Sequence, residues 1–198
     1  MQRRYPDCFP LRLRISANMR IQKPPAVDHP DISLRQLERS DIPAWYAYLS
    51  QREVIQHTSW DLKTENDLLP LFDELDATRP SSNRRLAITH GANRELIGTI
   101  GFHTISDKNR SAEIAYDLSP AYWGKGIASA VCAAITQWAF LEYGFVRVQG
   151  TVLVTNPRSA NVLKKSGYQY EGTLRSFRMV RGSPGDFEMY ALLNTDRT

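Results

Sequence analysis

The sequence has little cysteine and no long apolar run, and both shortages exclude classes of protein. Its two cysteines, Cys8 and Cys132, lie far apart in a chain of 198 residues. Neither a disulfide framework nor a cysteine-rich metal site is therefore predicted. No apolar run approaches the roughly 18 to 20 residues that a membrane-spanning helix needs. We expect a chain that works in a reducing compartment, the cytoplasm, without a membrane partner or a metal ion.

An excess of charge of one sign is also missing from most of the chain. The formal net charge is +4, but residues 1–18 hold four arginines and one aspartate, so the remainder is close to neutral. Nucleic acid is therefore not an expected partner of the body of the chain. The basic leader lacks the apolar stretch and the cleavage site of a targeting peptide. We expect residues 1–30 to be a loosely ordered extension, with a functional RNA-binding tail as the alternative.

Breakers and hydrophobic periodicity predict one α+β domain over residues 31–198. Strands are predicted near residues 32–37, 85–89, 95–103, 111–118, 145–155, 168–174 and 188–193. Helices are predicted from Ser40-Asp41 through Val54-Ile55, from Thr64 to Leu75, from Ile127 to Tyr143, and from Asn156-Pro157 to Gly167. The predicted architecture is a mixed, mostly antiparallel central sheet with helices on both faces.

The segment Trp123-Gly124-Lys125-Gly126-Ile127-Ala128 joins a predicted strand to a predicted helix. A tight loop that enters a helix presents free backbone N–H groups and the positive end of the helix dipole. The two glycines allow close approach to the backbone, and the lysine adds a mobile positive charge. This pattern favours a phosphate-type anion. A plain tight turn is the alternative, because short glycine motifs are weakly specific.

Two longer motifs carry a resemblance to a known family. Residues 112–128 match A-E-I-G-Y-x-L-x-P-x-x-W-G-x-G-I/L-A, with Ala115 in place of glycine, and residues 156–168 match N-x-x-S-x-x-V-L-x-K-x-G-F/Y. In these motifs the chain resembles the GNAT superfamily of N-acetyltransferases, specifically the RimJ/RimL branch that acetylates ribosomal-protein N-termini. The resemblance covers about residues 31–193 and implies the GNAT (acyl-CoA N-acyltransferase) fold.

The resemblance also implies a cosubstrate and the residues that hold it. Acetyl-CoA would be attacked directly by a primary amine, either a protein N-terminus or a small amine, in a ternary complex. The amides of residues 123–128 would hold the pyrophosphate, and the pantetheine arm would lie beside backbone groups of Asp117 and Leu118. Asn156 and Asn161 would bond the pantetheine or its surroundings. For Asn156, a helix N-cap is an equal and compatible interpretation.

Acetyl transfer needs a neutral amine, a polarised carbonyl and a proton source for the departing thiolate. Where many relatives have a tyrosine acid this chain has Leu163. The RimL-like alternative is Ser159, which could equally be a first-turn serine that satisfies the helix backbone.

Where some relatives have a glutamate base this chain has Arg178. Glu113 is the leading substitute, because strand alternation places it on the same face as Asp117. A structural carboxylate, or a water chain acting as base, is the alternative.

The remaining prominent residues are assigned by position. Trp60 lies in the loop between helices where this fold admits the acceptor, so we expect it to contact the substrate. His57 and His103 lack a partner motif and are interpreted as structural or surface residues.

A longer acyl group or a polyamine acceptor is the enzymatic alternative. A non-catalytic acyl-CoA-binding or ribosome-associated module is the alternative from another class, and a homodimer is compatible with the sequence.

Overall fold

The computed structural model describes residue 21 and residues 23–58, 60–77, 79 and 81–196 of the chain. The arginines of the leader, Cys8 and the rest of residues 1–20 lie outside the described residues. Ile21 is buried in the main apolar core, and Val27 packs against the same core. Part of the segment that was expected to be a loose extension therefore contacts the domain.

Seven strands form one sheet. They are β1 (Ile32–Gln36), β2 (Arg84–His90), β3 (Glu95–Ser106), β4 (Ser111–Leu118), β5 (Arg147–Leu153), β6 (Gln169–Val180) and β7 (Ser183–Leu193). Their order across the sheet is β1-β2-β3-β4-β5-β7-β6. Neighbours are antiparallel except β4 and β5, which are parallel. The predicted mixed, mostly antiparallel sheet is confirmed.

Helices cover both faces of this sheet. They are α1 (Ile42–Leu49), α2 (Arg52–Ile55), α3 (Leu69–Asp76), α4 (Ile127–Glu142) and α5 (Pro157–Lys165). Leu86 and Ile88 of β2 pack in the apolar cluster that includes α4 and α5, whereas Ala87 between them packs in the cluster that includes α1 and α3. Successive side chains of a strand point to opposite faces, so the sheet lies between two helical layers. These are called the α5 face and the α1 face below.

The predicted apolar stripe of α4 is confirmed. Ile127, Val131 and Ile135 are buried against the sheet, and Trp138 packs at the edge of the same cluster. Cys132 lies among them as a free, buried cysteine, and its burial raises the pKa of the thiol. None of the described helices is long and apolar enough to cross a membrane.

The first predicted helix is divided in the structure. It ends at Leu49, and α2 begins only at Arg52, because Gln51 adopts an extended conformation with ψ 133°. The helix predicted from Thr64 begins with a tighter 3-10 turn, Glu65–Leu68, before α3. Side-chain bonds between Thr64 and Asp67 close this turn in the manner of a capping box.

The last two strands are longer than predicted. Expected over residues 168–174 and 188–193, they extend to Val180 and back to Ser183 as one hairpin. Its turn holds Arg181 and Gly182, both at positive φ (48° and 79°). Such angles belong to the two-residue turns that suit the twist of a hairpin. Most of the added residues of β6 are exposed, so they lack the apolar alternation by which a strand is predicted.

Candidate active site

The central opening of the site forms where β4 and β5 stop pairing. Their parallel register covers only residues 111–113 of β4 and 147–149 of β5. Beyond it, β4 continues along β3 as far as Leu118, while β5 continues along β7. The strands therefore part beyond these residues and leave an opening between them.

The loop between β4 and α4 forms a cradle of backbone amides, called here the glycine cradle (residues 123–128). Gly124 and Gly126 have φ of 76° and 80°, a left-handed conformation that glycine adopts without steric cost. A Cβ atom at either position would meet nothing within 4 Å, so the backbone is open to a ligand. Ala130 is the first residue whose N–H bonds back to Gly126. The amides before it lie at the positive end of the helix dipole.

Side chains hold this cradle to the strand ends around it. The indole Nε1 of Trp123 donates to the Leu118 carbonyl at 2.7 Å. The guanidinium of Arg158, in the first turn of α5, lies 4.9 Å from the centre of the Trp123 ring. On the outer side, the carbonyl of Lys125 lies 3.0 Å from Nε2 of His29. The cradle is thereby tied to β4, to α5 and to the segment that precedes the domain.

Asp117 is the centre of a buried polar network on the α1 face. Its carboxylate accepts hydrogen bonds from Arg85 Nη2 (2.5 Å), Thr99 Oγ1 (2.7 Å), Trp45 Nε1 (3.2 Å) and the Tyr48 hydroxyl. Only 9% of the Asp117 side chain and 10% of the Arg85 side chain are exposed. Burial and the nearby carboxylate raise the pKa of Tyr48 well above its ordinary value. The Asp117 side chain is thus occupied by protein donors, and its backbone pairs with Thr99 of β3.

Trp60 lies against this network, at the position predicted for substrate contact. Its ring packs edge-on against Trp45, with centroids 5.8 Å apart. The guanidinium of Arg85 lies 5.3 Å from the Trp45 ring centre and 5.8 Å from that of Trp60. Trp60 is half-buried, so one side of the indole is left at the surface of the α1 face.

Glu113 lies on the same face as Asp117, as strand alternation predicts, and it is buried with 4% of its side chain exposed. It accepts hydrogen bonds from Thr151 Oγ1 and from Arg178 Nη2, the latter at 3.0 Å and 3.2 Å to the two oxygens. His103 Nε2 lies 3.8 Å away. Burial lowers the pKa of His103, and Glu113 opposes this effect in part. The arginine that replaces the expected glutamate therefore pairs with the carboxylate proposed as its substitute.

Ser159 lies on the α5 face, where it meets β4 across the opening. Its hydroxyl is 2.8 Å from the hydroxyl of Tyr116, which also donates to the Ser159 carbonyl at 3.0 Å. Burial raises the pKa of Tyr116 well above its ordinary value. Asn156 Oδ1 accepts from the Ser159 N–H at 3.1 Å, so the N-cap interpretation of Asn156 is confirmed. Asn161 is exposed on the next turn of α5.

The turn of the β6–β7 hairpin closes one side of the α1 face. Arg181 donates to the carbonyls of Gln56 (2.9 Å) and Ile55, at the end of α2. Nδ1 of the neighbouring His57 lies 3.3 Å from the Thr155 hydroxyl, beyond β5. Burial lowers the pKa of His57, and the cations of Arg158 and Arg181 lower it further. The α2 loop, the hairpin turn and the end of β5 therefore meet at one rim.

Sequence reasoning missed four residues of this arrangement: Arg85, Tyr116, Arg178 as a partner of Glu113, and Arg181. A signal existed for Arg85, because an arginine within an otherwise apolar strand calls for a buried carboxylate. No local pattern marks the others, since their partners are distant in the chain. Within the part of the chain that the structure describes, no three His, Cys, Asp or Glu side chains are placed to hold a metal ion.

Divergent parallel strands beside a glycine cradle at a helix entrance define a class of enzyme, the acyl-CoA-dependent N-acyltransferases. Residues 31–169 match the family model described as Acetyltransferase (GNAT) domain. The chain therefore belongs to the GNAT family, and it is an acyl-CoA-dependent N-acetyltransferase. Leu163, where the resemblance predicts the tyrosine of many relatives, is buried in the core with 1% exposed.

The proteins that this chain is similar to are named for different acceptors, or for none. The chain is 30% identical over 171 residues to the uncharacterized N-acetyltransferase YoaA of Bacillus subtilis (strain 168), across 85% of this chain and 97% of that protein. It is 32% identical over 97 residues, 49% of this chain and 54% of that protein, to Ribosomal-protein-serine acetyltransferase of Escherichia coli (strain K12). Spermidine N-acetyltransferase from Vibrio cholerae, solved with CoA and spermine, superposes with a TM-score of 0.74 at 22% identity, over 85% of this chain and 98% of that one. This last likeness supports the fold alone.

Proposed function

We propose that this enzyme transfers the acetyl group of acetyl-CoA to the α-amine of a polypeptide N-terminus, the reaction of the RimJ/RimL branch. One observation carries the choice of acceptor. Two buried carboxylates of the α1 face, Glu113 and Asp117, are each already paired with an arginine, Arg178 and Arg85. A polyamine has two or more ammonium groups, and its binding needs carboxylates that are not already paired. A peptide α-amine can bind without such carboxylates.

The glycine cradle supports acetyl-CoA as the acyl donor. The pyrophosphate of the donor would accept hydrogen bonds from the amides of residues 123–128, and Lys125 would add its charge. The open space at Gly124 and Gly126 fits an approach by a bulky anion. The opening between β4 and β5 would take the pantetheine arm, with Asn161 exposed on α5 beside it. When bound, acetyl-CoA supplies the activated acyl group.

The charges of the α1 face also favour an amine of low pKa. An α-amine has a pKa of about 8, so about a quarter of it is neutral near pH 7.5, against about one part in a thousand for an alkylamine of pKa ~10.4. Nearby cations lower the pKa of an amine further, because they disfavour its charged form. Such an acceptor needs little help from a base, which suits a Glu113 already engaged by Arg178.

The proposed proton path uses one group on each face. As the amine attacks the acyl carbon, its nitrogen loses a proton to Glu113, directly or through water. The departing sulfur gains a proton from the Ser159 hydroxyl, which solvent restores, so no net proton is consumed. Trp60, half-buried above the Arg85–Asp117 pair, would contact the residue that carries the amine. Nothing in the described residues favours a non-catalytic module over this reaction.

A comparison of acceptors tests the proposal. The kcat/KM of the full chain would be measured with acetyl-CoA and a peptide that has a free N-terminus, with the same peptide N-terminally blocked, and with spermidine. We expect turnover with the free peptide, and little with the other two. Turnover with spermidine alone would refute the peptide acceptor while keeping the enzyme class.

A further inference from the structure

Arg178 reaches its partner across the sheet. Glu113 lies on β4 and Arg178 on β6, with β5 and β7 between them. The guanidinium nevertheless lies 3.0 Å and 3.2 Å from the two oxygens of Glu113, above the rings of Phe177 (4.8 Å) and Phe187 (5.7 Å). A third of the Arg178 side chain is exposed, against 4% of the Glu113 side chain.

A bulge in β6 supports this position. Leu174 pairs with Phe187 and Arg178 with Gly185, so three residues of β6 stand opposite one residue of β7. Ser176, the middle residue of the bulge, has φ 50°, and its N–H donates to Asp186 Oδ1 at 2.7 Å. A bulge re-aims the side chains that follow it. The bond to Asp186 thereby fixes the backbone from which Arg178 extends toward Glu113.

The effect of Arg178 on Glu113 matches that of Arg85 on Asp117. Both carboxylates are buried, and each receives a guanidinium from another strand. Thr151 donates to Glu113 as well. An incoming ammonium group that sought Glu113 would have to displace Arg178 or lie beside it. In a buried setting, two like charges side by side are strongly unfavourable.

We infer that Arg178 is a specificity-determining residue, which occupies Glu113 and thereby excludes acceptors that carry a second ammonium group close to the reacting amine. The inference rests on the proposed function and narrows its substrate class to acceptors without a second ammonium group close to the reacting amine. It also gives the arginine at this position a role other than that of the glutamate base it replaces.

Selectivity measured on matched variants tests the role of Arg178. The ratio of kcat/KM for spermidine to kcat/KM for a neutral peptide α-amine would be compared for the wild type, Arg178→Gln, Arg178→Lys and Arg175→Gln. Arg175 is an exposed arginine on the same bulge and is the control. We expect Arg178→Gln to raise the ratio about tenfold or more, because Glu113 is freed, while the other two variants keep the wild-type ratio. A role confined to folding would lower both activities and leave the ratio unchanged.

The outcomes separate this inference from the proposed function. An unchanged ratio in an Arg178→Gln protein that folds and turns over peptide overturns the inference alone. Absence of peptide turnover in the wild type overturns the proposed function. If Arg178→Gln fails to fold, the wild type is assayed with peptides that have alanine or lysine as the second residue. Slower acetylation of the lysine peptide supports the exclusion of a second cation, and equal rates overturn it.

Discussion

The hydroxyl of Tyr116 lies 2.8 Å from the hydroxyl of Ser159 and donates to the Ser159 carbonyl at 3.0 Å. These contacts join β4 to α5 across the opening where β4 and β5 no longer pair. A tyrosine hydroxyl has a single proton. Because that proton is given to the carbonyl, the serine hydroxyl is left to donate to the tyrosine oxygen. Tyr116 therefore holds the Ser159 oxygen in place, and the serine proton would turn from Tyr116 to the sulfur in the proposed transfer.

Replacement of the serine tests the proposed acid. Ser159→Ala should lower kcat about 10²-fold, in the lower range for general acid–base catalysis, with little change in the KM for acetyl-CoA. Ser166→Ala is the control at the C-cap of the same helix, where the serine hydroxyl donates to the backbone carbonyls of Ser129 and Val162. Steady-state kinetics and thermal melts of both variants decide the matter. A loss of stability with unchanged kcat would return Ser159 to a purely structural role at the helix start.

Removal of the tyrosine hydroxyl tests the orientation. Tyr116→Phe should lower kcat about tenfold, since general acid catalysis depends on a positioned group. The double variant Tyr116→Phe, Ser159→Ala should be no slower than Ser159→Ala alone, because both changes act through one proton. If the two effects multiply instead, Tyr116 acts independently of the serine.

A carboxylate in the glycine cradle should block the acyl donor. Acetyl-CoA at about 100 times its Kd should stabilise the wild type by about 2.7 kcal/mol. Gly126→Glu should abolish this gain, because its charge would lie where the pyrophosphate is proposed to bind. Gly182→Glu is a close control, since Gly182 has a φ of 79° against 80° and equally open surroundings. Equal stabilisation of both variants by acetyl-CoA, measured by thermal melts, would place the pyrophosphate elsewhere.

The two perturbed histidines predict a dependence of stability on pH. The pKa values of His57 and His103 are lowered in the folded chain, chiefly by burial. Between those values and the ordinary pKa of about 6.5, the unfolded state binds more protons than the folded state. The free energy of unfolding should therefore fall as pH decreases from 7 to 5, and His103→Gln should flatten the decline. Denaturant titrations that give a constant free energy across this range would contradict the prediction.

Much of the fold could be predicted because local patterns report it. Ile127, Val131 and Ile135 repeat at helical spacing and are buried, and the glycine cradle follows its strand as predicted. The extension of the terminal hairpin could not be predicted, since its residues are mostly exposed and Pro184 interrupts the strand pattern.

The site was predicted less completely than the fold, because its pairs are distant in sequence. Glu113 and Arg178 are 65 residues apart, and Trp45 and Asp117 are 72 apart. Strand alternation predicts the face on which Glu113 lies, but it carries no information on the side chain that meets it there. The N-cap at Asn156 was predictable, since it depends on the three residues that follow it.

The position of the acetyl group on a peptide with two amines tests the central claim most directly. The full chain would be incubated with acetyl-CoA and a peptide that has a free N-terminus and one internal lysine, and fragment masses would locate the modification. We expect acetylation at the α-nitrogen, with an unmodified lysine. Acetylation of the lysine side chain alone, or of spermidine in preference to the peptide in the same mixture, would contradict it.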